Sequence, residues 1–376
     1  MSKITEITLI PLLAQLARPY GMARGLMGSR QSTLLRLRTA DGAEGLGEAW
    51  GPAAVTRAHL EMLRPLLIGT DVHDVELVAA RLLAQFYHAG IQNQLVAALG
   101  AIDMAALDAV GRLHGLPVAR LLGGIARTRL PVYASGGYMT AEPERDFPAM
   151  LETLAASGAR AAKIKIGLGG RSDAVRVRAA RAALGEAVLL LVDANGNYTV
   201  DEALDSMRRI ADADIHWFEE PLPPQDFSGY AALRRRAPMA VATGEALYTA
   251  WDFQRLIEAG GVDVVQPDLT LCGGVRAARE IALLARLHNL RLSPHVWGGG
   301  VGLAAACHFT ASLPDWPHST NVVHPAWVEY DVGENPLRDT ILRTPVRLED
   351  GCLVLPEGPG LGVALDEDAV AQWRVD

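Results

Sequence analysis

The chain has 376 residues, half of them apolar and 21% charged, with 35 Lys+Arg against 43 Asp+Glu and a formal net charge of −8. That composition buries a sizeable core and excludes wholesale disorder, and the acidic balance argues against a non-specific nucleic-acid binder or a polybasic membrane anchor. No apolar run approaches the ~18 residues of a membrane span, and three scattered thiols (Cys272, Cys307, Cys352) supply neither a disulfide framework nor a zinc knuckle. The start, MSKITEITLIPLLAQL, alternates like a strand rather than a signal peptide, so the chain reads as a cytoplasmic enzyme.

In chain order, the N-terminal third is α+β. Strands are expected over about 3–13, 32–39 and 44–50, with Asp41-Gly42 turning the last two into a hairpin. Helices follow near 54–67, 73–87 and 93–114; the third is apolar nearly all round and should be buried. Between the first two strands, RPYGMARGLMGSRQ (18–31), with glycines at 21, 25 and 28, reads as a long functional or mobile loop. From about residue 129, short apolar strands alternate with helical segments: 130–134, 161–166, 187–193, 215–219, 239–245, 262–268, 291–295 and 327–330. Such alternation implies a parallel sheet, and eight strands favour a closed α/β barrel. No G-x-G-x-x-G follows the first of them, which argues against a dinucleotide fold. The expected division is a domain over 1–128, a barrel over 129–350 and a segment over 351–376 that packs back on the first domain.

Lys165, Asp193, Glu219, Glu245, Asp268 and His295 each end an apolar run, at spacings of 28, 26, 26, 23 and 27 residues, about one βα unit each. In a parallel barrel such positions form a ring at the C-terminal mouth, where barrel active sites are built. A solvated charged face would follow helical spacing instead. Three converging carboxylates, Asp193, Glu219 and Glu245, repel one another unless a cation neutralises them, and hard oxygen ligands favour Mg²⁺ or Mn²⁺ over Zn²⁺. Glu220 beside Glu219 is an alternative ligand, since strand neighbours point opposite ways; the even spacing favours Glu219.

The chain holds 32 Arg and only three Lys, two of which, Lys163 and Lys165, stand on one face of one strand. Two buried ammonium groups so close should depress each other's pKa, turning a lysine into a base, which Arg cannot be. Asp268 beside His295 would fix the imidazole tautomer and raise its basicity, a second base. The other histidines read as structural, with His308 packed in a helix and His318 and His324 a weak metal pair. A divalent cation between two bases suits removal of a proton α to a carboxylate through an enediolate.

K-I-K-I-G (163–167), V-D-A-N-G-N-Y (192–198), W-F-E-E-P (217–221), G-E (244–245), Q-P-D (266–268) and P-H-V-W-G (294–298) resemble the enolase superfamily, in its mandelate racemase/muconate-lactonizing branch, over essentially the whole chain. The resemblance implies an N-terminal α+β capping domain, a modified TIM barrel of (β/α)₇β form, Mg²⁺ at Asp193, Glu219 and Glu245, and bases at Lys165 and His295. It further implies that Lys163 tunes Lys165 and touches the substrate carboxylate, that Asp268 orients His295, and that Glu329 in W-V-E-Y contacts the carboxylate. Q-P-D-L-T-L-C-G-G, H-V-W-G-G-G-V-G and the terminal G-P-G-L-G are similar to sugar-acid enzymes of the galactarolactone cycloisomerase type. On that footing the 18–31 loop is a lid, Arg24 and Arg30 meet substrate hydroxyls or a distal carboxylate, and Asn195 and Trp297 line the substrate. The expected ligand is a small carboxylate, a sugar acid or its lactone, and the expected assembly a homo-oligomer. Cycloisomerisation, racemisation or epimerisation, and dehydration all remain open. A Schiff-base aldolase using Lys165 and a non-catalytic binding relative are the competing readings.

Overall fold

The computed structural model describes residues 2–315 and 326–375. Its N-terminal domain is an antiparallel sheet of β1 (Ile4–Met22), β2 (Gly25–Thr39) and β3 (Glu44–Ala49), ordered β3-β2-β1 and carrying helices α1 (Ala53–Leu67), α2 (Val75–Gln85), α3 (Gln94–His114) and the short α4 (Val118–Leu121). The segment 18–31, expected as a loop, is instead the far end of the β1–β2 hairpin, with Met22 paired to Gly25. Pairing jumps from Gln15–Ser29 to Tyr20–Met27, a bulge that bends the arm. Of its three glycines, Gly21 serves close approach: a Cβ there would lie 2.3 Å from the Gly25 carbonyl oxygen, whereas Gly25 and Gly28 have open space around them. Beyond β1, the short β5 (Met139–Thr140) pairs with Tyr20 and Gly21 and ties the arm to the barrel.

The barrel strands are β4 (Arg129–Gly136), β6 (Ala161–Lys165), β7 (Leu189–Asp193), β8 (Ile215–Glu219), β9 (Ala240–Thr243), β10 (Val264–Val265), β11 (Arg291–Leu292) and β12 (Val328–Asp331). They run parallel in the order β12-β4-β6-β7-β8-β9-β10-β11. The circle closes through Ser293 Oγ donating to the Trp327 carbonyl at 2.7 Å and the Glu329 amide donating to the Pro294 carbonyl at 3.4 Å. Between them lie α5 (Pro143–Ala156), α6 (Gly170–Leu184), α7 (Val200–Ile210), α8 (Phe227–Arg234), α9 (Thr249–Glu258), α10 (Gly274–Leu287) and α11 (Gly300–Ser312), giving (β/α)₇β. Tyr133, Ala161, Leu191, Trp217, Ala242 and Val264 pack as one apolar layer inside the barrel. Because strand side chains alternate with period two, the next inward layer is Lys163, Lys165, Asp193 and Glu219.

After β12 the chain forms α12 (Pro336–Asp339), β13 (Leu348–Glu349), β14 (Cys352–Val354), which pairs antiparallel with the start of β4, and α13 (Glu367–Trp373). The tail returns to the N-terminal sheet, where Leu12 bridges Arg374.

Helix α3 explains its all-round apolarity by being sandwiched. A Cβ on Gly45 or Gly47 of β3 would lie 1.9 Å from an α3 carbonyl, and one on Gly100 would lie 2.6 Å from the Gly274 nitrogen of α10. It is the only described helix long and apolar enough to cross a membrane, and 83% of that window is buried inside the molecule. Three buried carboxylates of the N-terminal domain complete this seam. Glu48 accepts from the Gly299 and Gly302 amides at 2.6 and 2.8 Å, capping α11. Asp103 accepts from the Arg276 amide at 3.0 Å, at the start of α10, and Asp108 from Leu46 and Leu361 at 2.9 and 2.7 Å.

Candidate active site

Register places Lys165 beside Asp193 and Asp193 beside Glu219 across β6, β7 and β8. Glu245 stands two residues past β9, and Asp193, Glu219 and Glu245 offer oxygens that all lie within 4.8 Å of one another. Asp193 and Glu219 are fully buried. Of the two adjacent glutamates it is therefore Glu219 that joins the cluster. Glu220, at a φ of 39°, is buried with its Oε1 lacking a hydrogen-bond partner among the described residues.

Two groups of bases flank the carboxylates. On the β6 side, Lys165 Nζ lies 2.5 Å from Asp193 Oδ2. Lys163 Nζ contacts Glu219 Oε1 and stands 2.9 Å from Glu329 Oε1 and 3.7 Å from Asp193. On the opposite side, His295 Nδ1 meets Asp268 Oδ2 at 2.7 Å, while its Nε2 faces Glu245 at 3.3 Å and Glu329 at 3.6 Å. Asp268 is itself anchored, accepting from the Thr270 amide at 2.7 Å and hydroxyl at 2.5 Å. Glu329 thus bridges the two sides of the mouth.

The electrostatics differ from the sequence expectation in one respect. The paired lysines were to depress each other, yet both are held above the usual lysine range. Burial by itself lowers them, but Glu219 and Glu329 around Lys163, and Asp193 beside Lys165, outweigh it. His295 follows the same logic: burial lowers it, and Glu245, Glu329 and Asp268 push it up to about 10. Burial lifts Glu219 to about 7 against the pull of Lys163. Glu329, despite its burial, is held well below the carboxylate range by Lys163 and His295.

The donor set fits a hard divalent cation: oxygens only, from three consecutive strands, with the buried Asn195 Oδ1 lacking any partner among the described residues. Asn195, at φ 45° just past β7, donates its amide to Asp193 Oδ1 at 2.8 Å and its Nδ2 to Glu245 Oε1 at 3.3 Å, bracing two of the three.

Arg30 and Arg24, expected to face substrate, are engaged elsewhere. Arg30 is 2% exposed and pairs with Asp331 at 3.0 Å, donates to the Tyr20 hydroxyl at 3.0 Å and to the Trp297 carbonyl, and stacks on the Trp297 ring at 3.5 Å. A guanidinium neutralised by a buried carboxylate on the end of β12 is not free for a second anion. Arg24, at the hairpin tip, donates to the carbonyls of Asn195 (2.8 Å) and Gly196, so it fastens the arm to the loop after β7. Trp297 is held between Arg30 and the Tyr138 hydroxyl, which accepts from its indole at 3.0 Å, and lies 6.0 Å from Trp50. Trp50 in turn sits edge-on 6.4 Å from His295.

Sequence reasoning passed over Tyr133, which donates to Glu329 Oε2 at 3.0 Å, and Trp217 and Gln266, which donate to Glu219 Oε2 at 3.1 and 2.7 Å. The signal was present for the last two: each stands two residues before a strand-end acid, hence on the same inward face. His308 packs in α11 with its Nδ1 accepting the Ala119 amide at 3.3 Å, and His318 and His324 lie outside the described residues.

Residues 4–123 match the mandelate racemase/muconate lactonizing enzyme N-terminal domain, and residues 146–369 the enolase C-terminal domain-like family. Among curated proteins, D-galactarolactone cycloisomerase of Agrobacterium fabrum is 36% identical over 375 residues, covering 99% of both chains. Arabinonate dehydratase of Saccharolobus solfataricus is 30% identical over 348 residues, 90% of this chain and 89% of that one. A crystal structure of a racemase from Streptomyces coelicolor A3(2) with bound magnesium superposes with a TM-score of 0.87 at 29% identity, over 99% of this chain and 100% of the other. The strand-end ring, the capping seam and these matches together place the chain in the enolase superfamily, in its mandelate racemase/muconate-lactonizing branch.

Proposed function

We propose that this protein is a Mg²⁺-dependent enzyme of isomerase or lyase type that removes the α-proton of a sugar acid or sugar-acid lactone. The observation that carries the reading is the arrangement of the mouth: three carboxylates within 4.8 Å of one another, with Lys165 against one end and the His295–Asp268 pair against the other. Asp193, Glu219 and Glu245 would hold the cation, which when bound would offset the negative charge that builds on the substrate carboxylate.

Lys165 and His295 approach the α-carbon from opposite sides, so one takes the proton and the other returns one or protonates a departing group. Asp268 fixes the proton on His295 Nδ1 and leaves Nε2 facing the site. Lys163 and Glu329, ion-paired at 2.9 Å, form a polar wall against the substrate carboxylate, with Tyr133 and the Val296 amide steadying Glu329. Trp297 and Asn195 complete the lining.

The test is incubation of the Mg²⁺-supplied enzyme in D₂O with a panel of sugar acids and lactones, followed by proton NMR. Deuterium appearing at the α-carbon, with product identified in the same spectrum and loss of both on chelation, supports the reading. Turnover that survives chelation, or a carbonyl substrate trapped on Lys165 by borohydride, overturns it in favour of Schiff-base chemistry.

A further inference from the structure

A second cluster of ligating side chains lies in the capping domain and plays no part in the chemistry above. His73, in the turn Val72–Asp74 before α2, and His114, the last residue of α3, bring their Nε2 atoms to 2.9 Å, the rings 5.2 Å apart and inclined at 66°. Both rings reach solvent, His73 at 41% of its side chain. Asp71 Oδ1 lies 2.7 Å from His73 Nδ1, and this contact holds the Asp71 carboxyl below its usual range. That bond keeps the proton on Nδ1 and leaves the His73 Nε2 lone pair facing His114, the carboxylate–imidazole arrangement that supports a metal-ligating histidine.

The separation also suits one shared ion. Two nitrogens each about 2.05 Å from an ion stand about 2.9 Å apart at a right angle and about 3.3 Å apart at the tetrahedral angle. The observed 2.9 Å, here the length of a hydrogen bond between the two rings, equals the cis edge of a tetragonal site and needs less movement to reach than the tetrahedral spacing. We propose that His73 and His114 form a separate site for a tetragonal divalent transition ion, of which Cu²⁺ is the probe, with water in the remaining positions and Asp71 orienting His73. The ion takes the place of the proton between the two imidazoles, which leaves His114 Nε2 for Nδ1 of the same ring as that imidazole changes tautomer. It staples the turn before α2 to the end of α3, the helix that carries the domain seam. The all-oxygen triad and this all-nitrogen pair therefore select different metals within one chain: hard Mg²⁺ in the barrel, an imidazole-seeking ion in the cap.

The protein, saturated with Mg²⁺, is titrated with Cu²⁺ and followed by electron paramagnetic resonance. One equivalent with superhyperfine coupling to two nitrogens is expected. His73→Gln and His114→Gln should each lose the two-nitrogen pattern and weaken binding at least tenfold. Asp71→Asn, which retains the cap on the His73 amide, should keep the pattern while weakening affinity about 10–100-fold. Circular dichroism and turnover unchanged in all three variants establish that they fold. A wild-type protein that takes up no Cu²⁺, or a signal that survives in both histidine variants, overturns the proposal.

Discussion

Asp103 offers a quantitative test of how the capping domain is fastened to the barrel. It is 6% exposed, accepts the Arg276 amide at 3.0 Å at the start of α10, and burial lifts its pKa from 3.8 to about 6. A raised acid pKa means the unfolded chain releases this proton first. Its contribution to stability is therefore full below about pH 4 and is lost as pH rises through about 6. The shift corresponds to roughly 3 kcal/mol in total, of which about 1.4 kcal/mol falls between pH 5 and pH 7.5. Asp103→Asn keeps an oxygen for the same amide but does not titrate. The melting temperature of the variant relative to wild type should then climb by about 2 °C between those two pH values, given the unfolding entropy of a chain this size. The measurement is a pair of thermal scans at each pH, and the difference cancels every other titrating group. A difference that stays flat, or falls, across the range would mean that Asp103 ionises like a solvated acid and that the seam is wet.

The remaining predictions concern the site and its supports. Lys165→Ala and His295→Asn should each abolish turnover while leaving Mg²⁺ affinity by calorimetry nearly intact; wild-type activity in either removes that residue as a base. Glu219→Gln should weaken Mg²⁺ binding more than Glu220→Gln, and the reverse order would reassign the ligand. Arg30→Met strands Asp331 in the interior and should cost about 3 kcal/mol by chemical denaturation, with part recovered in the Arg30→Met/Asp331→Asn double variant. Gly100→Ala, whose Cβ would meet the Gly274 nitrogen at 2.6 Å, should lower the melting temperature through backbone overlap that no side-chain rotation relieves.

What the sequence disclosed and what it withheld divide along a physical line. Strand ends recur at a fixed spacing because each βα unit has a fixed length, so the eight barrel strands and the ring of Lys165, Asp193, Glu219, Glu245, Asp268 and His295 could be read from periodicity. The triad needed only that these ends share a layer, and they do. Two partners of Arg30, by contrast, Trp297 and Asp331, come from about 270 to 300 positions away, and no local pattern signals them. The hairpin arm was misread because glycines that admit close backbone contact look the same in sequence as glycines that give mobility. The lysine pair was legible as a pair, but its protonation depends on Asp193, Glu219 and Glu329 arriving from other strands.

The capping domain grips α10 and α11 with carboxylates, yet the barrel answers with main-chain amides alone: Arg276, Gly299 and Gly302 contribute N–H groups, not side chains. Peptide amides are present at any residue but proline, yet the start of α11 is not free to drift: a Cβ on Gly302 would lie 2.8 Å from the Thr270 side chain, and one on Gly299 3.1 Å from Glu48 Oε1. Chimeras that graft this N-terminal domain onto a homologous barrel should therefore assemble where the recipient keeps glycine at these two places, so compatibility travels with a pair of small residues rather than with a matching charge.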